Sequence, residues 1–268
     1  MHVPANPLIS LSTDFGPGNK GIGVMKAVIL EICPDAQIID LAHDITGFGV
    51  IPGARLLEAT AYLPVGFHIC VVDPSVGTSR KPLAIKTGRG DILIGPDNGV
   101  LIPATRFLGG IAAVHEITNP QMMRQPVSAI FHGRDIFAPA AAHLAAGVKM
   151  TEVGPAVPQS ELATAAYDEA MFEKDHIDAL IVDINNFGSV FLNVMQAEMH
   201  KLSTAGKDVT LTWTGGSVTI PYRRTFGDVP IGKDVILDDD FGRVEIAVNQ
   251  GNFSQKHGLK PGGRITLS

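Results

Sequence analysis

The sequence predicts an α/β N-terminal domain, with a mainly parallel sheet flanked by helices, followed by a small all-β, barrel-like C-terminal domain. Three observations support this prediction. Strand-like apolar runs alternate with helical periodicity in the first part of the chain, short strands of period two fill the last part, and the stretch between them is weakly patterned and contains prolines. We expect an α/β domain over residues 1–155, a linker over 156–175 and a β-barrel domain over 176–268.

The N-terminal domain opens with two strand–helix units. A short apolar strand over residues 8–11 precedes residues 21–32, whose apolar side chains fall at helical spacing and which Pro34 closes. A second strand over residues 36–41 leads to a helix over residues 52–62, with a proline near its first turn. This alternation of strands and helices is typical of a parallel sheet.

The next strand, over residues 67–72, is apolar and β-branched, as expected for a strand buried on both faces of a sheet. Pro74 and Gly77 end it in a polar loop. The remaining predicted elements of this domain are strands at residues 82–87, 91–94 and 111–116 and an alanine-rich helix that ends near Ala146.

Polar side chains follow strand after strand in this domain. Ligands bind beyond the carboxyl ends of the strands in open α/β sheets, so we expect these side chains to share one rim. The rim residues are Asp14, His43, Asp44, Asp73, Asp97 and Asn98.

The C-terminal domain is predicted from short strands and turn signals. Residues 214–217 read TGGS, which is typical of a hairpin turn between two strands. The predicted strands cover residues 179–183, 190–194, 209–213, 218–222, 244–248 and 264–267. Many short strands with regular turns favour a small barrel or sandwich.

Composition excludes several classes of function. The net charge of −6 and pI near 5.8 provide no basic field for nucleic acid. The two cysteines, Cys33 and Cys70, lie in predicted core elements, which favours a reducing compartment over a disulfide framework. No signal peptide and no membrane-spanning run is recognised, so we expect a cytoplasmic protein that binds no membrane.

The common catalytic motifs are absent from the sequence. It contains no phosphate-binding loop, no dinucleotide fingerprint, no zinc spacing and no serine-nucleophile elbow. Without a recognised ligand spacing we predict no metal site, although carboxylates and histidines could converge on a hard cation. The side chains concerned are Asp14, His43, Asp44, Asp73, His132 and Asp135.

Taken singly, the candidate residues also have structural interpretations. Asp14 or Asp73 could cap a helix or form a turn, and a lone His132 is more often structural than catalytic. Arg134 and Asp135 form a local ion pair in the simplest interpretation. The aromatic residues that would ordinarily be core are Phe48, Phe187 and Phe226.

Five segments together resemble the S-adenosyl-L-methionine (SAM) hydrolases, also called SAM hydroxide adenosyltransferases, which are related to the fluorinase and chlorinase enzymes. The segments are LSTDFG (11–16), VDPSVGTSR (72–80), GPDNG (95–99), FHGRDIFAPA (131–140) and EIAVN (245–249). The resemblance implies the same two-domain fold, hydrolysis of SAM without a metal or other cofactor, and a homotrimer with sites at its subunit interfaces.

The family's hydrolytic triad falls on Asp73, Arg80 and His132. The resemblance implies water rather than halide as the nucleophile, because halogenating relatives lack the Asp/His pair. Fluorinase-like chains also carry an extra loop where this chain has only Gly88, Arg89 and Gly90. The chemistry agrees: a sulfonium leaves as a neutral thioether without an acid, whereas water needs a proton acceptor and a cation to stabilise hydroxide. Either Asp73 or His132 could accept that proton.

The resemblance also assigns substrate contacts. It places Asp14 on the ribose hydroxyls, Phe48 near the ribose and Phe226 beside the adenine. The adenine segment, residues 183–189, contains Phe187. The acid that the family has in this segment aligns either with Asp183 or with Asn185, and Ser189 replaces the usual asparagine.

Three further positions depart from the family pattern, two near the methionine end and one in the Asp73 loop. Asn19 replaces an aspartate near the methionine amine, Gly21 an aromatic residue, and Ser75 a glycine. Two other functions remain open: a non-catalytic SAM- or adenosine-binding sensor, and a metal-dependent nucleotidase built from the rim carboxylates.

Overall fold

The structure is a computed structural model that describes residues 6–268; the first five residues, for which no signal peptide was expected, lie outside the described part. The chain forms two compact units, the first ending at Ala166 and the second beginning at Tyr167. This division lies inside the predicted linker of residues 156–175. The predicted boundaries of the linker itself remain predictions.

The first unit is built on a six-stranded mixed sheet. Its strands are β1 (Leu8–Thr13), β2 (Gln37–Ala42), β3 (Phe67–Val71), β4 (Pro82–Thr87), β5 (Ile92–Pro96) and β6 (Ile111–Glu116). They lie in the order β2-β1-β3-β5-β4-β6, and the first four in this order pair in parallel. Strand β4 is antiparallel to both neighbours, so the sheet is mixed rather than mainly parallel as predicted. The connection from β4 to β5 is too short for a crossover, which requires this reversal.

Helices of the first unit pack on this sheet. They are α1 (Lys20–Ile32), α2 (Val50–Leu57), α3 (Ile102–Thr105) and α4 (Ala138–Ala145). The predicted helix over residues 52–62 is α2 followed by a 3₁₀ turn at Glu58–Tyr62. Met25 and Ile29 of α1 and Ala141 of α4 are buried in one core with Ile69 of β3. This core fixes the strand that ends at the Asp73 loop.

The second unit is an antiparallel sheet with eight described strands. These are β7 (Phe172–Glu173), β8 (His176–Ile184), β9 (Val190–Met195), β10 (Asp208–Trp213), β11 (Gly216–Pro221), β12 (Asp234–Asp238), β13 (Arg243–Val248) and β14 (Arg264–Leu267). Their order is β11-β10-β14-β8-β9-β13-β12, with β7 beside β8. A bridge between Tyr222 and Ile236 brings the two ends of the sheet together, so it is nearly closed and barrel-like.

Sequence analysis did not predict β7, β12 or the short helices α5 (Gln196–Leu202) and α6 (Phe253–His257). The apolar run of β12 is only three residues long, which is too short for a periodicity argument.

Two further expectations concern the cysteines and membrane-spanning helices. Cys33 and Cys70 are both buried and unpaired, as their apolar surroundings predicted. Among the helices within residues 6–268, none combines the length and apolar character needed to cross a membrane.

Candidate active site

Asp73 and Arg80 are joined across the loop that follows β3. Arg80 Nε donates to both carboxylate oxygens of Asp73 at 3.0 Å, and Arg80 Nη2 also donates to Asp73 Oδ2. The guanidinium lies 5.2 Å from the ring centroid of the buried Phe137. The loop turns at Gly77, whose φ is 78° and where a Cβ would lie 2.5 Å from the Ala129 carbonyl oxygen. Arg80 is therefore held by the carboxylate of Asp73 and by the ring of Phe137, in a loop whose turn requires a glycine.

His132 lies against the same guanidinium. Its Nδ1 is 2.6 Å from Arg80 Nη2. Arginine can only donate, so Nδ1 is the acceptor and the neutral ring carries its proton on Nε2. Burial, followed by the charge of Arg80, lowers the pKa of His132 below its usual value, while Asp73 and Asp135 oppose this shift. We call Asp73, Arg80 and His132 the Asp73 cluster.

A cavity of about 280 Å³ opens beside the Asp73 cluster, and we call it the Asp73 cavity. It brings together four of the predicted site residues, Asp14, Phe48, Asp73 and His132. The full lining is Asp14, Phe15, Gly47, Phe48, Val71, Asp73, Val76, Ile130, Phe131, His132 and Gly133. Arg80 does not line the cavity and acts on it through its two partners.

Asp14 joins the first rim loop to another loop rather than capping a helix. Its Oδ2 accepts a hydrogen bond from the Phe48 backbone at 2.9 Å. The N-cap of α1 is Asn19, whose Oδ1 accepts from Gly21 N at 2.8 Å. Phe48 has a φ of 63° and is 75% exposed, so it is not a core residue.

A polar network supports the Asp14 loop from behind. Thr13 Oγ1 lies 2.9 Å from His43 Nδ1, and His43 Nε2 lies 3.0 Å from Asp40 Oδ1. Asp40 Oδ2 accepts from Lys26 Nζ at 2.6 Å. His43, which sequence analysis expected at the rim, does not line the Asp73 cavity. It supports the Asp14 loop through its contact with Thr13.

Other predicted rim residues support the backbone instead of lining the Asp73 cavity. Asn98 Nδ2 donates to the Val72 carbonyl at 2.9 Å, and Asp97 Oδ1 accepts from Ala163 N at 2.9 Å. These two residues follow β5 at the same edge of the sheet as Asp73, but they do not line the Asp73 cavity. Asp44 does not line the cavity either.

The Arg134–Asp135 ion pair is confirmed. Arg134 Nε and Nη2 donate to the two carboxylate oxygens of the buried Asp135 at 2.7 and 2.8 Å, and Ser128 N donates at 2.9 Å. Hydrogen bonds from Arg134 and Ser128 lower the pKa of Asp135 despite its burial. Within residues 6–268 no three histidine, cysteine, aspartate or glutamate side chains are arranged to hold a metal ion.

The second unit has its own cavity, of about 590 Å³, which we call the Phe226 cavity. Among the predicted residues it contains Asn185, Phe187, Ser189 and Phe226. Asn185 Oδ1 accepts from Phe187 N and Ser189 N at 3.0 Å each, which fixes the turn after β8. Asp183 lies on β8 and does not line the cavity. Phe187 and Phe226 are 80% and 41% exposed, so the core interpretation is wrong for both.

Sequence reasoning assigned no role to several other residues of the Phe226 cavity. The unassigned polar residues are Asp240, Glu245, Asn249 and Gln250. Glu245 and Asn249 belong to the EIAVN segment used for the resemblance, so that segment carried the signal for them.

Comparisons with known proteins match both parts of the chain. The family model of the SAM hydroxide adenosyltransferase N-terminal domain matches residues 9–154, and that of the C-terminal domain matches residues 179–266. The chain therefore belongs to the SAM hydroxide adenosyltransferase family.

Relatives and a solved structure resemble the chain over nearly its full length. It is 35% identical to an (R)-S-adenosyl-L-methionine hydrolase of Salinispora arenicola, with 99% of each chain covered. A fluorinase of Actinoplanes sp. is more distant, at 26% identity, with 100% of this chain and 99% of the fluorinase covered. The crystal structure of an uncharacterised conserved protein from Thermotoga maritima has a TM-score of 0.90 and 33% identity, covering 97% of this chain and 99% of that one.

Proposed function

We propose that this enzyme hydrolyses SAM to adenosine and L-methionine. The observation that carries the proposal is the contact of one guanidinium with both Asp73 and His132, beside a cavity that also contains Asp14. Membership of the SAM hydroxide adenosyltransferase family and similarity to a SAM hydrolase over the full chain support the same reaction.

The reaction forms one bond and breaks another at the 5′ carbon of SAM. A water oxygen attacks this carbon, the bond from carbon to sulfur breaks, and its electron pair stays on sulfur, which leaves as the neutral thioether of methionine. One water proton is released. No general acid is needed on the leaving group, so the protein's task is to activate and position water.

The geometry favours Asp73 as the acceptor of that proton. His132 Nδ1 already accepts from Arg80, so the neutral imidazole offers only the Nε2 hydrogen, which is a donor. We propose that Asp73 accepts the proton, that His132 holds the water oxygen through Nε2–H, and that Arg80 stabilises the developing hydroxide.

Substrate contacts are proposed in both units. Asp14 would bind the ribose hydroxyls through charge-assisted hydrogen bonds, and Phe48 would pack near the ribose. In the Phe226 cavity, Asn185, Ser189 and Phe226 would contact the adenine. Asp183 lies on β8 and does not line this cavity, so no adenine contact is proposed for it. Phe187 would cover the cavity from its exposed turn.

We also propose a homotrimer with sites completed between subunits, and a reaction that requires no metal or cofactor. Large apolar side chains border both cavities, with Ile130 82% exposed and Phe187 80% exposed. Such side chains are more stable when an assembly or substrate covers them.

The decisive experiment is a product assay with purified protein, SAM and heavy-oxygen water. We expect adenosine and methionine in equal amounts, with the label in the 5′-hydroxyl of adenosine and no effect of a chelator. Binding of SAM without any product would identify a sensor instead. Product formation that a chelator abolishes would contradict the metal-free mechanism, and a halogenated nucleoside as the only product would contradict water as the nucleophile.

A further inference from the structure

A single π-helical turn, Gly133–Phe137, follows His132 and leads into α4. Such turns are frequent at functional sites. Asp135 lies in the middle of this turn with its side chain completely buried, and it does not line the Asp73 cavity. Sequence analysis interpreted Asp135 only as half of a local ion pair with Arg134. Its other contacts extend to the wall of the Asp73 cavity.

Asp135 closes the segment that precedes it into a loop. Its backbone carbonyl accepts a hydrogen bond from Arg124 N at 2.8 Å, and its Oδ2 accepts from Ser128 N at 2.9 Å. Its own backbone N–H donates to the Phe131 carbonyl at 3.2 Å. One residue therefore bonds to the start, the middle and the end of the segment of residues 124–131, which we call the Ser128 loop.

The Ser128 loop forms part of the wall of the Asp73 cavity. Ile130 and Phe131 line the cavity, and His132 follows them directly. The carbonyl oxygen of Ala129 is the atom that a Cβ at Gly77 would approach to 2.5 Å, so the loop also lies against the turn that carries Asp73 and Arg80. A displacement of the Ser128 loop would therefore move the cavity wall and His132 together.

Arg134 extends this support to two aromatic rings. Its Nε and Nη2 donate to the two carboxylate oxygens of Asp135 at 2.7 and 2.8 Å, and its Cζ lies 5.0 Å from the centroid of the Phe131 ring. The Phe131 ring in turn meets Phe15 edge to face, with 5.9 Å between the ring centroids. Both rings line the Asp73 cavity, so the Asp135 carboxylate anchors its aromatic wall through one guanidinium.

The carboxylate of Asp135 is charged at neutral pH. Burial raises its pKa, but hydrogen bonds from Arg134 and Ser128 outweigh burial and hold the pKa below its usual value. A buried carboxylate with these donors is a fixed negative charge three residues after His132.

This charge acts on His132. The other charged groups around the ring are Asp73 and Arg80 from the loop after β3 and Asp14 across the cavity. Burial and the charge of Arg80 lower the pKa of His132, whereas Asp73 and Asp135 oppose this shift. Neutralising Asp135 would therefore remove one of the negative charges that favour the protonated ring.

We propose, building on the hydrolase function above, that Asp135 is a positioning residue for hydrolysis. It holds the Ser128 loop and His132 beside the Asp73 cluster, and its charge contributes to the pH at which the site becomes inactive.

Asp135→Asn is the first test, because it keeps the size of the side chain and an acceptor for Ser128 N but removes the charge. We expect kcat to fall about 10-fold, equivalent to about 1.4 kcal/mol of barrier, with a smaller change in KM for SAM. Thermal unfolding should show a lower Tm. A lower Tm with unchanged kcat would mean that Asp135 only stabilises the fold and would overturn the proposal.

The pH profile separates positioning from stability. In Asp135→Asn the acid limb of kcat should move to lower pH, because the protonated ring of His132 loses a nearby negative charge. NMR titration of the His132 ring, assigned by its disappearance in His132→Gln, gives the same midpoint without turnover. A midpoint that is unchanged or higher would contradict the proposal.

Asp91→Asn is the matched control. Asp91 is also completely buried and accepts the same fork of hydrogen bonds, from Arg89 Nε at 2.7 Å and Nη2 at 2.8 Å, together with a backbone hydrogen bond from Gly66 N at 3.2 Å. It lines neither the Asp73 cavity nor the Phe226 cavity. This variant should lower Tm but leave kcat and the His132 midpoint unchanged. An equal shift of the midpoint would make it a general result of losing a buried ion pair and overturn the proposal.

Arg134→Gln keeps the proposal testable if Asp135→Asn does not fold, because the Arg134 side chain is 31% exposed. It removes the cation that masks Asp135 and keeps the carboxylate, so the His132 midpoint should rise. A fall in the midpoint would overturn the proposal. Absence of adenosine with wild-type protein would contradict the hydrolase function, whereas the NMR titration would still decide whether Asp135 acts on His132.

Discussion

Arg80 is the residue that joins the Asp73 cluster, because one guanidinium contacts both the carboxylate and the imidazole. Arginine stays charged at every pH at which a protein is folded, so it can orient both partners without exchanging a proton. Its stacking on Phe137 limits movement of the cluster. The roles of Asp73 and His132 can therefore be tested one at a time.

Asp73→Asn should reduce kcat by about 10²- to 10⁴-fold, the usual effect of removing a general base. His132→Ala should reduce kcat less, and His132→Gln should recover part of the loss because its amide can still donate. Single-turnover formation of adenosine measures the chemical step, and calorimetry measures SAM binding, which should change much less than kcat. Equal losses of binding and turnover would make these residues substrate ligands, and a larger loss in His132→Ala than in Asp73→Asn would reverse their proposed roles.

The lowered pKa of His132 predicts how activity depends on pH. The neutral ring accepts from Arg80, and a protonated ring would repel it, so kcat should be constant above about pH 6.5 and fall as pH drops through the lowered pKa. Folding stability should fall in the same direction, because the unfolded chain binds this proton at a higher pH than the folded chain. The pH–rate profiles of the wild type and His132→Gln provide the check. A midpoint above 6.5, or an unchanged midpoint in His132→Gln, would contradict this assignment.

At the scale of elements, the loop between Asp73 and Arg80 has little freedom at Gly77. This residue combines a positive φ with close approach to the Ala129 carbonyl, so a side chain here meets two independent obstacles. The approach links the Asp73 loop to the segment that leads to His132. Two parts of the chain some fifty residues apart therefore depend on one backbone contact.

Gly77→Ala should destabilise the protein by more than its positive φ alone requires and should lower kcat. Gly110→Ala is the matched control, because Gly110 has a φ of 80° and a Cβ added there would meet nothing within 4 Å. Adopting this backbone region costs a residue other than glycine about 1–2 kcal/mol, which the control should show alone. Thermal unfolding and adenosine formation measure both effects. Equal behaviour of the two variants would mean that the Ala129 contact is unimportant.

The strands and most helices of the first unit follow from its sequence, since long periodic segments such as α1 carry a clear signal. Short elements do not, and β12 was missed because three apolar residues define no period. The rim argument placed Asp14, Asp73, Asp97 and Asn98 at one edge of the sheet, but only Asp14 and Asp73 of these four line the Asp73 cavity. Position after a strand says which edge a side chain occupies, whereas its hydrogen-bond partners decide whether it faces the cavity.

At the scale of the whole molecule, exposed apolar side chains border both the Asp73 cavity and the Phe226 cavity. Ile130 and Phe48 border the one in the first unit, and Phe187 and Phe226 border the one in the second. The two-unit fold and the family could be predicted because five segments matched in order. The exposure of these phenylalanines could not, because an isolated phenylalanine gives no sign of which side of a turn it occupies.

Sedimentation of the purified enzyme should show an assembly of three chains. Phe187→Ser should weaken this assembly and reduce activity, since it removes exposed apolar surface beside the Phe226 cavity. Val65→Ser, at a 49% exposed position that lines neither the Asp73 cavity nor the Phe226 cavity, should change neither property. A wild-type monomer with full activity would contradict the proposed homotrimer.

Strand β2 is the end of the six-stranded sheet, and within the described residues it pairs only with β1. A free edge of this kind can accept a strand from another chain and start aggregation. Asp40 lies in this strand, paired with Lys26 and beside His43, and a charge on an edge strand discourages such pairing. The network that supports the Asp14 loop therefore also protects the sheet: losing Asp40 would both loosen the site and leave an edge open to self-association.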